Sequence, residues 1–151
     1  MRIKRETILM ILIILSAVIV SYAIYKNSSA KLEKVCIEDK ACFYSEIADN
    51  RSEREKGLSG REALDNNNGM LFIFEEETFP GFWMKDMNFP IDILWINKNK
   101  EIIGIEKSIQ PCKTEKECPV FYPNSRIKYA LEINSGFSEV YGFEKGNSVY
   151  F

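Results

Sequence analysis

The sequence predicts a mainly β (β-rich α+β) fold: a compact barrel-like or sandwich domain with two short helices, preceded by one N-terminal transmembrane helix. Three observations carry this reading. Seven or so short stretches rich in β-branched and aromatic residues recur through residues 32–151, separated by turns containing Asn, Gly and Pro. Helix signals in the same range are few and short. Residues 7–25, TILMILIILSAVIVSYAIY, carry no charge, and as a helix they would extend roughly 28 Å, close to the thickness of a bilayer core.

Composition removes several function classes. Of the 151 residues, 46% are hydrophobic and 28% charged, as in ordinary globular proteins. There is no histidine, so Ser-His-Asp and Cys-His nucleophilic sites are excluded, as is any metal site that needs imidazole. The net charge is -2. From Lys31 onward, 16 basic residues face 21 acidic ones, so this part carries about -5 and is a poor fit to nucleic acid or anionic lipid.

Taken in order, residues 1–6 are a short basic tail with Arg2, Lys4 and Arg5. Residues 7–25 read as a transmembrane signal-anchor, because the apolar region of a cleaved signal peptide is usually only ~7–15 residues long. Ser-x-Ala sites ending at Ala23 and Ala30 leave cleavage open, in which case the domain is secreted. Residues 26–31 form a polar tether and 32–151 the folded domain. Lys26, Lys31 and Lys34 balance the three basic residues before the span, so charge does not decide its orientation.

The cysteines arbitrate. Cys36 and Cys42 are separated by five residues, and so are Cys112 and Cys118. Zinc is the rival to disulfides, but zinc ligands within a pair usually lie two to four residues apart, closer than these. In VCIEDKACF, Cys36 and Cys42 are equidistant from Asp39, so a hairpin would set them face to face. Disulfides place the domain on the extracytoplasmic side.

CFYSEIA alternates, with Phe43, Ser45 and Ile47 on one side and Tyr44, Glu46 and Ala48 on the other. Ser52 and Glu55 fit a capping box for a short helix stopped by Gly57. The turn Asn66–Gly69 leads into the apolar strand GMLFIF, residues 69–74. FWM (82–84) follows Pro80-Gly81, and Asn97–Lys100 is a hairpin turn between IDILWI (91–96) and EIIGI (101–105). KYALEI (128–133) and SVYF (148–151) complete the strands, and residues 135–141 fit a second short helix ended by Gly142.

Five blocks are similar, in this order, to the family known as domain of unknown function 192: FYSEIADNRSEREKGLSGREAL, GMLFIFEE, FWMKDMNFPIDILWI, SIQPC with CPVFYP, and YALEINSGFSEVYGFEKGNSV. The resemblance covers about residues 43–151. It implies a β-rich, barrel-like domain, often behind a signal peptide or anchor, and no known activity. Cys36 and Cys42 lie outside the matching stretch.

Asp92 shares its strand face with Leu94 and Ile96, an apolar setting that calls for a partner: Lys85, Arg61 or backbone N–H groups near Asn88–Pro90. Glu132 alternates with Tyr129, Leu131 and Ile133, and reads either as solvated or as a second carboxylate near Asp92. Two carboxylates in different environments are the equipment of a hydrolase, so Asp92 and Glu132 are weak catalytic candidates. Arg61, Trp83, Lys85, Asp92, Tyr122 and Glu132 are the ligand-binding candidates. Glu75–Glu77 reads as a solvated turn rather than a calcium loop, and Met70, Met84 and Met87 as packing residues rather than copper ligands. No metal or cofactor is expected.

The first expectation is therefore a non-catalytic, membrane-anchored extracytoplasmic module for a small ligand, an envelope glycan or a protein partner. The first alternative is an accessory subunit of an envelope complex, and the second the carboxylate hydrolase. Partners are the bilayer, through residues 7–25, and the unidentified ligand or envelope protein.

Overall fold

The computed structural model describes residues 5–27, 31–112 and 114–151. Tail residues 1–4 and tether residues 28–30 lie outside the described residues. The chain divides into two compact units, Met1–Lys31 and Leu32–Phe151.

The first unit contains helix α1, Arg5–Asn27. Its placed side chains from Met10 to Val20 are exposed rather than packed. Among the described residues, no helix is long and apolar enough to cross a membrane.

The second unit is mainly β. Its strands are β1 (Leu32–Ile37), β2 (Ala41–Ala48), β3 (Asn68–Thr78), β4 (Phe82–Trp83), β5 (Ile91–Ile96), β6 (Ile102–Ile109), β7 (Val120–Phe121), β8 (Ile127–Asn134) and β9 (Val149–Tyr150). Seven of them form one sheet in the order β6-β5-β8-β3-β2-β1-β9, while β4 and β7 pair separately. Only β2 and β3 run parallel within that sheet. Its two edges meet: the Ile102 N–H donates to the Asn147 carbonyl at 3.0 Å and the Val149 N–H to the Lys100 carbonyl at 2.8 Å. The sheet is thus a curled half-barrel, and meeting edges leave fewer unpaired backbone groups.

The β1–β2 hairpin sets Cys36 directly opposite Cys42, and the two are disulfide-bonded. Cys112 and Cys118 form the second disulfide. Both local pairings agree with the spacing argument.

Alternation along the strands builds two apolar layers. Val35, Phe43, Leu71, Leu94, Ile102, Leu131 and Val149, one from each strand of the sheet, belong to the cluster inside the curl. Met70, Phe72, Ile93, Trp95 and Ala130 point the other way and are covered by Leu58, Phe82, Met84 and Met87 from the connections. All six residues of β5 are therefore buried, which is why IDILWI reads as a nearly continuous apolar run. Met70, Met84 and Met87 pack in the core, as expected.

Two local expectations need correction. Helix α2 spans Arg51–Lys56, and its cap is Asn50 rather than Ser52. The Asn50 side chain accepts from the Glu53 N–H at 3.0 Å, and Glu53 reaches back to the Asp49 N–H at 3.2 Å. The box thus sits two residues earlier, and Gly57 still ends the helix, at φ 49°. Glu75–Glu77 belongs to strand β3 rather than a turn, its ladder prolonged past Phe74 across an irregularity in pairing with β8. The second short helix, α3, is Phe137–Val140.

Candidate functional site

Strands β5 and β8 pair antiparallel, with Asp92 opposite Ile133 and Ile93 opposite Glu132. Opposed residues share a face and successive residues alternate. Asp92 therefore points into the curl and Glu132 points to the other side. The structure does not bring the two carboxylates together, so the acid–base pair envisaged for a hydrolase is not formed.

Asp92 is fully buried and satisfied by backbone alone. Its Oδ1 accepts from the N–H of Ser108 at 2.8 Å and of Gly136 at 3.1 Å, and its Oδ2 accepts from Ser138 N–H at 2.9 Å. Of the partners considered, backbone donors are the right kind, but they come from β6 and the start of α3, not from Asn88–Pro90. Neither Lys85 nor Arg61 is the partner. The carboxylate ties α3 to the sheet, a structural role.

Glu132 is in the opposite situation. It is buried, and its Oε2 has no hydrogen-bond partner among the described residues. The solvated reading is therefore corrected. Burial pushes its carboxyl up to about 8, although the nearby Arg61 guanidinium pulls it down. Arg61 is engaged with Glu46, donating from its second terminal nitrogen to Oε2 at 2.8 Å in a bidentate pair. That hydrogen-bonded guanidinium holds the Glu46 carboxyl below its usual range, and the carboxylate raises Arg61 in turn. Glu46, Met70 and Glu132 are register partners across β2, β3 and β8, so one row carries both glutamates. Gly69 makes the close approach possible: a Cβ there would sit 2.9 Å from the Glu132 carbonyl oxygen and 3.0 Å from Ser45 Oγ.

Glu132 lies in the lining of a cavity of about 500 Å³, within the size range of small-molecule sites. Phe72, Phe74, Phe82 and Trp83 supply aromatic walls, and α2 supplies Arg51, Arg54, Glu55 and Lys56. Arg54 is fixed by the carbonyls of Asp49 (2.6 Å) and Ile73 (2.9 Å) and lies over the Phe74 ring. The two connections around the site are latched together: Ser59 Oγ donates to the Lys85 carbonyl, Gly60 N–H to the Asp86 carbonyl, and the Asn88 side chain to the Arg61 carbonyl.

Of the residues singled out from sequence, Trp83 and Glu132 line the cavity. Lys85 stands over the Trp83 ring at 5.3 Å. Tyr122 packs over Gly81, where an added Cβ would meet its ring at 2.9 Å. Arg61 acts on Glu132 through its charge. Arg61, Lys85 and Tyr122 are not in the lining itself, and Asp92 is on the opposite face of the sheet. Sequence reasoning missed Glu46, Arg54, Phe72 and Phe74. The signal for Glu46 was its place in CFYSEIA on the face of Ala48, opposite Phe43 and Ile47. Among the described residues, no cluster of three or more carboxylates or cysteines is placed to hold a metal ion.

The model of domain of unknown function 192, described as an uncharacterised ACR, matches residues 34–151. The chain belongs to this family. The match begins at Lys34, so it includes the Cys36–Cys42 hairpin, which the sequence resemblance had left outside. No curated protein matches. A crystal structure of a protein of unknown function from Novosphingobium aromaticivorans is similar at 24% identity and a TM-score of 0.75, covering 82% of this chain and 88% of that one. A crystal structure of a putative transcription regulator from Sinorhizobium meliloti is similar at 28% identity and a TM-score of 0.72, covering 81% of this chain and 95% of that one.

Proposed function

We propose that this chain is a membrane-anchored extracytoplasmic binding module that takes a small ligand into the Glu132 cavity without transforming it. One observation carries the reading: a buried carboxyl with an unpartnered oxygen lines a cavity of about 500 Å³ walled by aromatic rings. An orphaned buried polar atom costs roughly 1–3 kcal/mol, and ligand contact is one way to recover it. The binding reading is further supported by the place of Asp92, the partner that the hydrolase reading needs: it faces away from Glu132 and is saturated by backbone donors.

The anchor rests on the uncharged residues 7–25, and the extracytoplasmic side on two disulfides, which persist in oxidising compartments. The transcription-regulator title of one structural neighbour is not carried over. A domain with 16 basic and 21 acidic residues is net negative, a poor fit to phosphate backbones.

A second reading, an accessory subunit of an envelope complex, is favoured by the apolar groups around the cavity mouth. Phe79, Trp83, Val120 and Tyr122 are each more than two-fifths exposed, and exposed apolar patches mark interaction sites.

The test is a thermal-shift panel of envelope sugars, peptides and small organic acids and amines on the full chain without reductant. A ligand at ~100 times its Kd stabilises by roughly 2.7 kcal/mol. The expected result is a hit abolished by Trp83→Ala and weakened by Glu132→Leu. A silent panel together with one stoichiometric partner crosslinked in intact membranes would transfer the assignment to the accessory-subunit reading.

A further inference from the structure

We propose that the ligand is a small organic monocarboxylate with a flat apolar body and a hydroxyl or carbonyl at the end remote from its carboxylate. The inference rests on the cavity being a binding site and adds the chemical class. Three features of the cavity, read from wall to mouth to floor, define it.

The walls come first. Phe72 and Phe82 meet edge to face, with centroids 4.9 Å apart, and Trp83 follows Phe82 in β4. Such surfaces accept a planar body, since aromatic pairs favour offset-stacked and edge-to-face contacts.

Charge decides the mouth. Helix α2 brings Arg51, Arg54 and Lys56 to the lining together with Glu55, while its other acid, Glu53, turns back to the Asp49 N–H. Arg51 is paired with Glu55. Arg54 is oriented by two backbone carbonyls, which hold its guanidinium without cancelling its charge. The Arg61 charge next to Glu132 is matched by Glu46. Met70 and Ile93, the register neighbours of Glu132 on β3 and β5, add none. The field at the mouth is positive, in a domain that is acidic as a whole. It attracts a carboxylate and repels an ammonium group.

The floor sets the far end of the ligand. Glu132 Oε2 lacks a hydrogen-bond partner among the described residues, and a carboxyl kept neutral can donate its hydrogen to an uncharged oxygen. A second carboxylate there would sit beside Glu132, where the Arg61 charge is already matched by Glu46, so the class is a monocarboxylate. The raised Glu132 pKa agrees with a floor that is a donor at neutral pH.

The experiment compares three probes with the same ring and para hydroxyl: 3-(4-hydroxyphenyl)propanoate, its primary amide, and 4-(2-aminoethyl)phenol. Binding to the full chain in detergent is measured by calorimetry. The carboxylate is expected to bind about 10-fold tighter than the amide, and the amine weakest. Lys56→Gln, at an exposed position, should narrow the gap between carboxylate and amide, and Arg54→Met should nearly close it. Carboxylate affinity should fall as the pH rises through about 8, where Glu132 loses its hydrogen, and Glu132→Gln should abolish that fall. A tightest-binding amine, with affinity rising with pH, would overturn the monocarboxylate class and leave the cavity standing as a binding site. No binding by any probe would also overturn the class. If the broader thermal-shift panel is silent too, the binding reading falls with it.

Discussion

Asp92 and Glu132 occupy adjacent strands, and both are buried. They nevertheless have opposite fates. Asp92 points into the curl and meets three backbone N–H groups. Glu132 points to the outer layer, keeps an unpartnered oxygen and lines a cavity. A buried carboxylate is thus no guide to function by itself. What separates the two is whether the fold satisfies them.

The largest effect that this contrast predicts is on stability at Asp92. Asp92→Asn places an amide nitrogen where one of the N–H groups now donates, and leaves that donor buried and unpaired. A loss of about 3 kcal/mol is expected, roughly a 10 °C fall in Tm. Glu132→Gln should cost little, because the removed group has one oxygen without a partner. Chemical denaturation of both variants measures the difference. Equal losses at the two positions would erase the distinction.

The next effect is pH dependence. The Glu132 carboxyl is raised in the folded state, from an ordinary value of 4.5 to about 8. Between those values the folded state holds a proton that the unfolded state has released. Its contribution to stability is present below about 4.5 and is lost as pH rises through the folded pKa. The slope approaches ~1.4 kcal/mol per pH unit. Glu46 is shifted the opposite way, so its contribution is lost only as pH falls below the ordinary carboxylate range. Subtracting the Glu132→Gln profile from that of the wild type should isolate a decline between about 4.5 and 8. A flat difference would show that Glu132 titrates normally.

The smallest effect sharpens the comparison. The Arg61–Glu46 pair is about one-third exposed, so its loss should cost under ~1 kcal/mol. Yet Glu46→Gln frees the Arg61 charge for Glu132 and should move the Glu132 titration to lower pH. Arg61→Met should move it to higher pH, because the guanidinium now opposes the shift. A stability loss without either displacement would make the pair a strut and nothing more.

Much of the fold was legible because its signals are local. IDILWI is strand β5 residue for residue, and the symmetry of VCIEDKACF located both a hairpin and a disulfide. The cap of α2 was misplaced because Asn50 and Ser52 both precede a glutamate by three residues, and sequence alone does not rank them. The site was only half legible. Trp83 and Glu132 stood out as amphipathic or polar residues in apolar blocks, and Arg61 as a candidate partner for a buried carboxylate. Phe72 and Phe74 did not, because in GMLFIF a cavity wall and a core residue look alike. Asp92 was grouped with Glu132 because register is a long-range property. A shift of one residue between β5 and β8 would have set the two carboxylates on one face.

The most direct test of the account is a carbon-13 NMR titration of the Glu132 side-chain carboxyl, assigned by its loss in Glu132→Gln. A transition centred near 8 is predicted. A transition among the ordinary carboxylates, near 4.5, would mean that Glu132 is solvated or paired, and the cavity would lose the feature that marks it as a site.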